Sequence, residues 1–239
     1  SAARQNARSV REIISTEMWE QVNRSYLTVT DAVSSGRFMQ NPQGFFAEVK
    51  MASHLFGGIT DATMSHGEGW HFGRLGRLLE RADKTSRILD VKYFILLPDV
   101  SDVGTPFDNI QWSALLKSAS ALEMYRKHYG RITPHQVVEF LIFNPNFPRA
   151  IRYCLIKGED SLHAILGSDG GAGQNLAGRR LGRLRADLDY ADIGEITAQG
   201  LHEFLDNLQA ELNRVGDAIL ETFFALRPVE GAMTKGDIQ

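Results

Sequence analysis

Apolar residues recur at the three- and four-residue spacing of an α-helix along most of this chain. The clearest seam lies in the last helical segment and consists of Leu201, Leu205, Leu208, Leu212, Val215 and Ile219. A seam of this kind predicts a long helix that packs against other helices. No segment shows the strict alternation of apolar and polar residues that is typical of a β-strand. The pattern therefore predicts an all-α protein.

Proline, glycine and asparagine residues divide the pattern into separate helices. Pro98 ends one helix, because proline lacks an amide hydrogen and clashes with the preceding turn. Thr133 followed by Pro134 predicts a helix start, since the hydroxyl can cap the first turn and proline suits its first position. The predicted helices span 3–34, 45–63, 70–97, 110–129, 134–143, 146–166, 181–191 and 197–226. We expect a bundle of about seven or eight helices, several of them long, with antiparallel packing.

A chain of 239 residues can bury a sizeable core as one helical domain or as two intimately packed halves. We expect a single domain over 1–226. The tail at 227–239 has few apolar residues and is expected to fray. The segment 167–178 contains five glycines between two helical blocks, which favours a mobile loop or a hinge.

The charge balance restricts the partners that the chain can have. With 26 basic against 29 acidic residues, the formal charge of -3 argues against non-specific binding of nucleic acid or anionic membrane. No apolar run approaches the roughly 20 residues of a membrane span, and the single Cys154 excludes an internal disulfide. These features favour the cytoplasm. The chain starts at Ser1 without a signal-peptide pattern, and we expect residues upstream to be missing.

Arginines form a stripe on the predicted third helix. Arg74, Arg77 and Arg81 fall on one narrow arc, where only Glu80 is close enough to neutralise them. Like charges at this spacing oppose one another by a few tenths of a kcal/mol per pair. The stripe therefore indicates carboxylates from another helix or a bound anion. A solvated surface is the alternative, since Glu80 and Lys84 form a favourable i, i+4 pair.

The first predicted helix repeats this feature. Arg8 and Arg11 share an arc with Arg4, and the same face becomes apolar further along the helix. A face of that kind points into a protein, so we expect Arg8 and Arg11 to be partly buried beside charge partners. Glu12 and Glu80 are the acidic candidates. Guanidinium groups from both helices are expected to converge on shared negative charge.

His66, Glu68 and His71 form the only compact cluster with metal-ligand chemistry. A di-iron bundle needs two Glu-x-x-His units, and this chain has one. Because Glu68 also suits the positive end of a helix dipole, the three are weak candidates, and we expect neither a metal nor a cofactor. Cys154 lies in an apolar helical context, which favours a buried small side chain over a nucleophile.

A second basic patch, Arg179, Arg180, Arg183 and Arg185, is followed at once by three aspartates. A solvated helix is the ordinary interpretation of such a pattern. A surface for an acidic partner is the alternative.

Four segments carry a resemblance to a known family. ARQNARSVREIISTEMWEQVN at 3–23 and GRLGRLLERADKTSRILD at 73–90 resemble the bacterial alpha-E family, a helical domain of unknown function named for its Glu-Arg motif. FLIFNPNFPRAIRYCL at 140–155 and LRADLDYADI at 184–193 are similar to that family too. The resemblance extends up to Phe224. Members usually begin with an extra helical segment, which we expect this chain to lack.

The resemblance assigns the Glu-Arg pair to Glu80 and Arg81, and places Arg8, Arg11 and Glu12 in the other well-marked motif. It implies no established catalytic role. Genes of the family lie beside, or are fused to, those for ATP-grasp ligase and transglutaminase-like peptidase domains, which implies a system for peptide synthesis or protein modification.

Three hypotheses follow. The leading one is an accessory helical module whose Arg/Glu helices dock such a partner or position an anionic peptide or phosphate. The second is an enzyme component for amide or acyl transfer, with its site between the first and third helices. The third is a structural homo-oligomer built through the last helix.

Overall fold

A computed structural model describes residues 2–95, 106–167 and 175–225. These residues form twelve helices and no strand, so the predicted all-α class is confirmed and the predicted number of seven or eight helices is wrong. The helices are α1 (Ala2–Ser9), α2 (Thr16–Ser34), α3 (Arg37–Gln40), α4 (Pro42–Thr63), α5 (Glu68–Ile95), α6 (Pro106–Ser118), α7 (Leu122–Tyr129), α8 (Pro134–Phe143), α9 (Ile151–Leu166), α10 (Leu176–Asp189), α11 (Ile193–Gln199) and α12 (Leu201–Phe223).

The predicted first helix is two helices separated by a turn. Ser15 has extended backbone, and its hydroxyl accepts the amide hydrogen of Met18, so it caps the start of α2. Glu17 in the first turn favours the positive end of the helix dipole. A new helix therefore begins at Thr16, although the apolar stripe continues through the turn.

Two further predicted helices are divided by residues with left-handed backbone. Ser120 has a φ of 52° and separates α6 from α7. Gly200 has a φ of 117° and separates α11 from α12. A β-carbon at Gly200 would also collide with the carboxylate of Glu203, so only glycine suits this junction.

Capping residues place the other helix starts. The Thr133 side chain accepts the amide hydrogen of Gln136 with Pro134 in the first position, which confirms the predicted start of α8. α9 begins at Ile151, later than predicted, because the Asn144 side chain binds the amides of the preceding turn instead.

The chain divides into two compact units, residues 1–74 and 75–239. In the first unit α2 and α4 are antiparallel, since Ser15 near the start of α2 contacts Thr63 at the end of α4, with 2.6 Å between the hydroxyl oxygens. The Gln21 amide donates to the carbonyl of Ala52 at 3.1 Å. α1 packs on α2. The expectation of a single domain stays a prediction.

In the second unit α10 packs against both α9 and α12. The start of α10 contacts the end of α12, because the Ala177 amide donates to the Thr222 hydroxyl at 3.3 Å, so these helices are antiparallel. The predicted seam of α12 is confirmed by the burial of Leu205, Leu208, Leu212 and Val215. Each such side chain contributes about 1.5–3 kcal/mol to folding.

No helix within the three described segments is long and apolar enough to cross a membrane. Three predicted regions lie wholly or mostly outside the described residues: the tail at 227–239, the mobile loop at 167–178, and the connection between the predicted helices 70–97 and 110–129.

Candidate functional site

The two residues of the Glu-Arg motif point to different surroundings within the second unit. Arg81 is half-buried, and its Nη1 donates a hydrogen bond to the carbonyl of Pro148 at 3.0 Å. The Glu80 side chain is 72% exposed, and its nearest cation is the Lys84 ammonium at 4.0 Å. The motif is therefore not an internal ion pair.

Arg81 belongs to a contact between α5 and the turn that precedes α9. The buried Thr85, one helical turn after Arg81, donates its hydroxyl hydrogen to the carbonyl of Arg149 at 2.8 Å. The Cys154 thiol lies 3.5 Å from the same Pro148 carbonyl that Arg81 binds. We call Arg81, Thr85, Pro148, Arg149 and Cys154 the Arg81–Arg149 cluster.

The cluster contains two cations and no anion. Burial lowers the pKa of Arg149, and the positive charge of Arg81 lowers it further. In the described segments no carboxylate lies within ion-pair distance of either guanidinium, and the Arg149 side chain has no hydrogen-bond acceptor. The region therefore carries uncompensated positive charge that is partly withdrawn from water.

The Cys154 thiol cannot act as a nucleophile in this setting. The residue is fully buried, and burial raises its pKa to about 12, against the opposing effect of Arg81 and Arg149. A thiol is reactive only as the thiolate, so it is inert at neutral pH. The chemistry that the cluster can perform is the binding of an anion, because guanidinium forks match the oxygens of carboxylate and phosphate.

The rest of the third-helix stripe has other partners. Arg74 lies over the indole ring of Trp70, 5.2 Å from the ring centroid. Arg77 is half-buried, and its side chain has an interaction partner. The i, i+4 pair of Asp83 and Arg87 is present at 2.9 Å, and this hydrogen bond lowers the pKa of Asp83. Part of the helix therefore has the solvated pairs that the sequence predicted.

The first-helix candidates belong to the first unit. Arg8, Arg11 and Glu12 are exposed, so the expected partial burial of the two arginines is wrong. Arg11 lies over the indole ring of Trp19 at 4.8 Å, a contact that the sequence analysis missed. Neither arginine has a carboxylate in ion-pair range among residues 2–74, the described part of the first unit. The convergence of the two arginine stripes stays a prediction.

The weak metal candidates take part in aromatic contacts. The His66 ring stacks on Trp70 with centroids 4.1 Å apart, and its Nε2 lies 3.1 Å from the carbonyl of Asp61. The His71 ring meets Trp70 edge-on, and burial lowers its pKa, helped by Arg74 and His66. Glu68 is exposed in the first turn of α5. Across the described part of the chain, no group of three potential ligands could hold a metal ion.

An ion-pair network between α9 and α10 was missed by the sequence analysis. Arg185 lies 2.6 Å from Glu159 and 2.5 Å from Asp189, which also binds Arg152 at 2.7 Å. The predicted solvated helix is therefore wrong for Arg185. Only its i, i+4 spacing to Asp189 could have indicated part of this network. No comparable spacing in the sequence indicated a role for Arg149.

Comparison with known proteins places the chain in a family. It is 23% identical over 230 residues to Uncharacterized protein Mb2597 of Mycobacterium bovis (strain ATCC BAA-935 / AF2122/97), and equally to Uncharacterized protein MT2643 of Mycobacterium tuberculosis (strain CDC 1551 / Oshkosh). Each match covers 92% of this chain and 25% of the relative, so the chain spans about a quarter of these proteins. No solved structure matches. Residues 1–224 match the model of Alpha-E, a predicted alpha-helical domain with a conserved ER motif, and the chain therefore belongs to the Alpha-E family.

Proposed function

We propose that the chain is an accessory helical module of a peptide synthesis or protein modification system. Its partner is an ATP-grasp ligase or a transglutaminase-like protein, and its Arg/Glu helices dock that partner or position an anionic peptide or phosphate. The family resemblance supports the partner class. The matched region accounts for only 25% of the curated relatives, which leaves room for other domains beside such a module.

The observation that carries this proposal is the separation of the Glu80 and Arg81 side chains. Consecutive residues of a helix project about 100° apart, so Glu80 and Arg81 do not face each other and each needs a partner of its own. Here Arg81 is held by the carbonyl of Pro148, while the Glu80 carboxylate stays in water, 4.0 Å from Lys84. A carboxylate presented in this way can meet a cation of a partner, and such charges set the specificity and rate of association.

Co-purification tests the proposal. The chain is produced together with an ATP-grasp ligase of the kind whose genes lie beside those of the family, and Glu80→Gln is compared with the native protein. The matched control is Asp187→Asn, which removes another exposed carboxylate with a weak i, i+4 partner, Arg183, at 3.9 Å. We expect Glu80→Gln to lose association while its circular dichroism stays helical. Association that is unchanged in Glu80→Gln overturns the docking role.

A further inference from the structure

We infer that Arg81 and Arg149 form a binding site for one oxyanion group, a phosphate or a carboxylate. The inference rests on the anion-positioning part of the proposed function and deepens it, because it assigns the ligand to a specific place in the second unit. It also brings in Arg149, which lies 68 positions after Arg81 and outside both arginine stripes.

Two hydrogen bonds from one helix fix the Arg81 side chain and the backbone of Arg149. Arg81 on α5 holds the carbonyl of Pro148, the residue directly before Arg149, at 3.0 Å. Thr85, on the same face of α5, holds the carbonyl of Arg149 itself at 2.8 Å. The backbone that carries the Arg149 side chain is thus anchored beside the Arg81 guanidinium. The two guanidinium groups belong to one positively charged region, in which the charge of Arg81 acts on Arg149.

The charge of Arg81 and Arg149 is unlike that of Arg152 and Arg185, two other half-buried arginines of the unit. Arg152 binds Asp189 at 2.7 Å, and Arg185 binds Glu159 at 2.6 Å. Arg81 and Arg149 have each other and no carboxylate within the described ranges. Removing a guanidinium from water without an anion is unfavourable, and a bound oxyanion would reverse that effect through charge-assisted hydrogen bonds.

The start of α9 adds to this potential. α9 has 16 residues, and its N-cap, Ala150, offers no side-chain acceptor to the first turn. The positive end of the helix dipole, equivalent to about half a unit charge, is therefore not offset by a capping oxygen. Arg149 immediately precedes this cap. Burial and the Arg81 charge both lower the Arg149 pKa, in agreement with a positive region that lacks an anion.

A purely structural role explains Arg81 but not Arg149. Arg81 ties α5 to the turn before α9 and needs no ligand to do so. The Arg149 guanidinium binds no acceptor in the described segments and is opposed by its neighbour, so its charge does not favour the fold. A ligand gives this side chain a role, and Arg149 is therefore the residue to test.

Isothermal titration calorimetry of the purified full chain tests the site, with inorganic phosphate in one arm and acetate in the other, at low ionic strength. We expect the native protein to bind one anion per chain. Arg149→Gln should weaken binding at least about tenfold, because a hydrogen bond to a charged group is lost. Arg149→Lys should restore part of the affinity, since lysine keeps the charge without the fork.

Arg183→Gln is the matched control, because it removes one positive charge from a side chain that is 78% exposed on α10. We expect the anion affinity of this variant to stay within about twofold of the native value, because screening weakens the effect of distant surface charges. If only the phosphate titration shows a heat of binding, the site is assigned to phosphate groups. If only the acetate titration shows one, the site is assigned to carboxylates.

The inference fails if neither anion binds the native chain, or if Arg149→Gln binds as tightly as the native protein does. Either result can be separated from failure of the proposed function. If Glu80→Gln still co-purifies with the ligase while the native chain binds phosphate, the docking role is removed and the site is kept. If Glu80→Gln loses the ligase while the native chain binds no anion, only the site is removed. Because Arg149→Gln breaks no hydrogen bond of its side chain within the described residues, its folding should be retained.

Discussion

The guanidinium of Arg81 and the carbonyl of Pro148 are joined by a hydrogen bond of 3.0 Å across 67 positions of the chain. The bond ties the Glu-Arg motif to the turn that starts α9. An arginine can reach this carbonyl from α5 because its side chain is long and rigidly forked.

Arg81→Met should therefore destabilise the protein. The variant keeps a long apolar stem but removes the donor, and loss of a charge-assisted hydrogen bond in a half-buried site costs about 1–2 kcal/mol. Urea unfolding followed by circular dichroism measures the change. Arg183→Met is the control, because its exposed charge should matter by less than about 0.5 kcal/mol. Equal effects of the two variants would contradict the importance of the Pro148 bond.

Thr85→Val should have an effect of similar size. Thr85 is 3% exposed, and its hydroxyl is the donor to the Arg149 carbonyl at 2.8 Å. Valine has nearly the same shape but leaves that carbonyl without its donor, which costs about 1–3 kcal/mol when the group is buried. The free energy of unfolding in urea checks this.

Thr197→Val serves as its control. The Thr197 hydroxyl is exposed and donates only to the carbonyl of Ile193 within α11. Its replacement should change the free energy of unfolding by no more than about 0.5 kcal/mol. A Thr85→Val protein as stable as native would show that the bond to Arg149 does not hold the turn.

Arg149→Gln should leave stability unchanged or slightly raise it in anion-free buffer. The substitution removes the repulsion between Arg149 and Arg81 and breaks no ion pair within the described residues. Sites selected for binding often carry such unfavourable local interactions. Differential scanning calorimetry without phosphate gives the test, and a clear fall in Tm would show that Arg149 supports the fold instead.

Cys154 should make the protein less stable at alkaline pH. Its pKa is raised to about 12 in the fold, whereas the ordinary pKa of a thiol in an unfolded chain is 9.0. The native state therefore keeps a proton that the unfolded state loses, and this contribution to stability, fully present below pH 9, is lost as pH rises toward 12.

Urea unfolding at about pH 8 and about pH 10 measures this loss. Between these two pH values, the free energy of unfolding of Cys154→Ala should fall by about 1 kcal/mol less than that of the native protein. Comparing each protein with itself removes the cost of the cavity that alanine leaves. Identical losses in both proteins would mean that the thiol is open to ionisation. The raised pKa of Tyr129, about 12, acts in both proteins and cancels.

His202 should give a second pH dependence, nearer neutrality. The hydrogen bond to Asp90, 2.7 Å from Nδ1, raises the His202 pKa, with smaller effects from Glu203 and Asp206. A raised histidine pKa stabilises the fold fully below its ordinary value of 6.5, and the effect is lost as pH rises through the folded-state pKa.

The Tm of the native protein should therefore fall more between about pH 6 and about pH 8 than that of His202→Gln. His163→Gln, at an exposed position on α9, is the control and should follow the native curve. If His202→Gln also follows the native curve, the Asp90 contact does not link α5 to α12 in solution.

The sequence predicts features that depend on local chemistry. The apolar seam of α12 and the start of α8 at Thr133 and Pro134 are examples, because helical periodicity and capping act over a few residues. Junctions such as Ser120 escaped prediction, since serine is not a strong helix breaker and takes its left-handed backbone from the surrounding packing. Tertiary context decides such positions.

The candidate site was predicted only in part. Arg81 could be found because it stands in a stripe of like charges and in a family motif. Arg149 could not, since the contact between α5 and the turn before α9 joins residues 64 and 67 positions apart. Sequence spacing identifies neighbours on one helix, and it carries no information on which distant turn a side chain will reach.

Because the Cys154 thiol is buried, this chain is also well suited to site-specific labelling for spectroscopy. Cys154 is the only cysteine of the 239 residues, so a cysteine introduced at an exposed position such as Asp187 would be the one group that takes up a maleimide dye or a nitroxide. Labelling of the native background is then expected only after unfolding, which gives a direct check on sample integrity. The proposed docking of a ligase can thus be tested by fluorescence without first replacing a core residue.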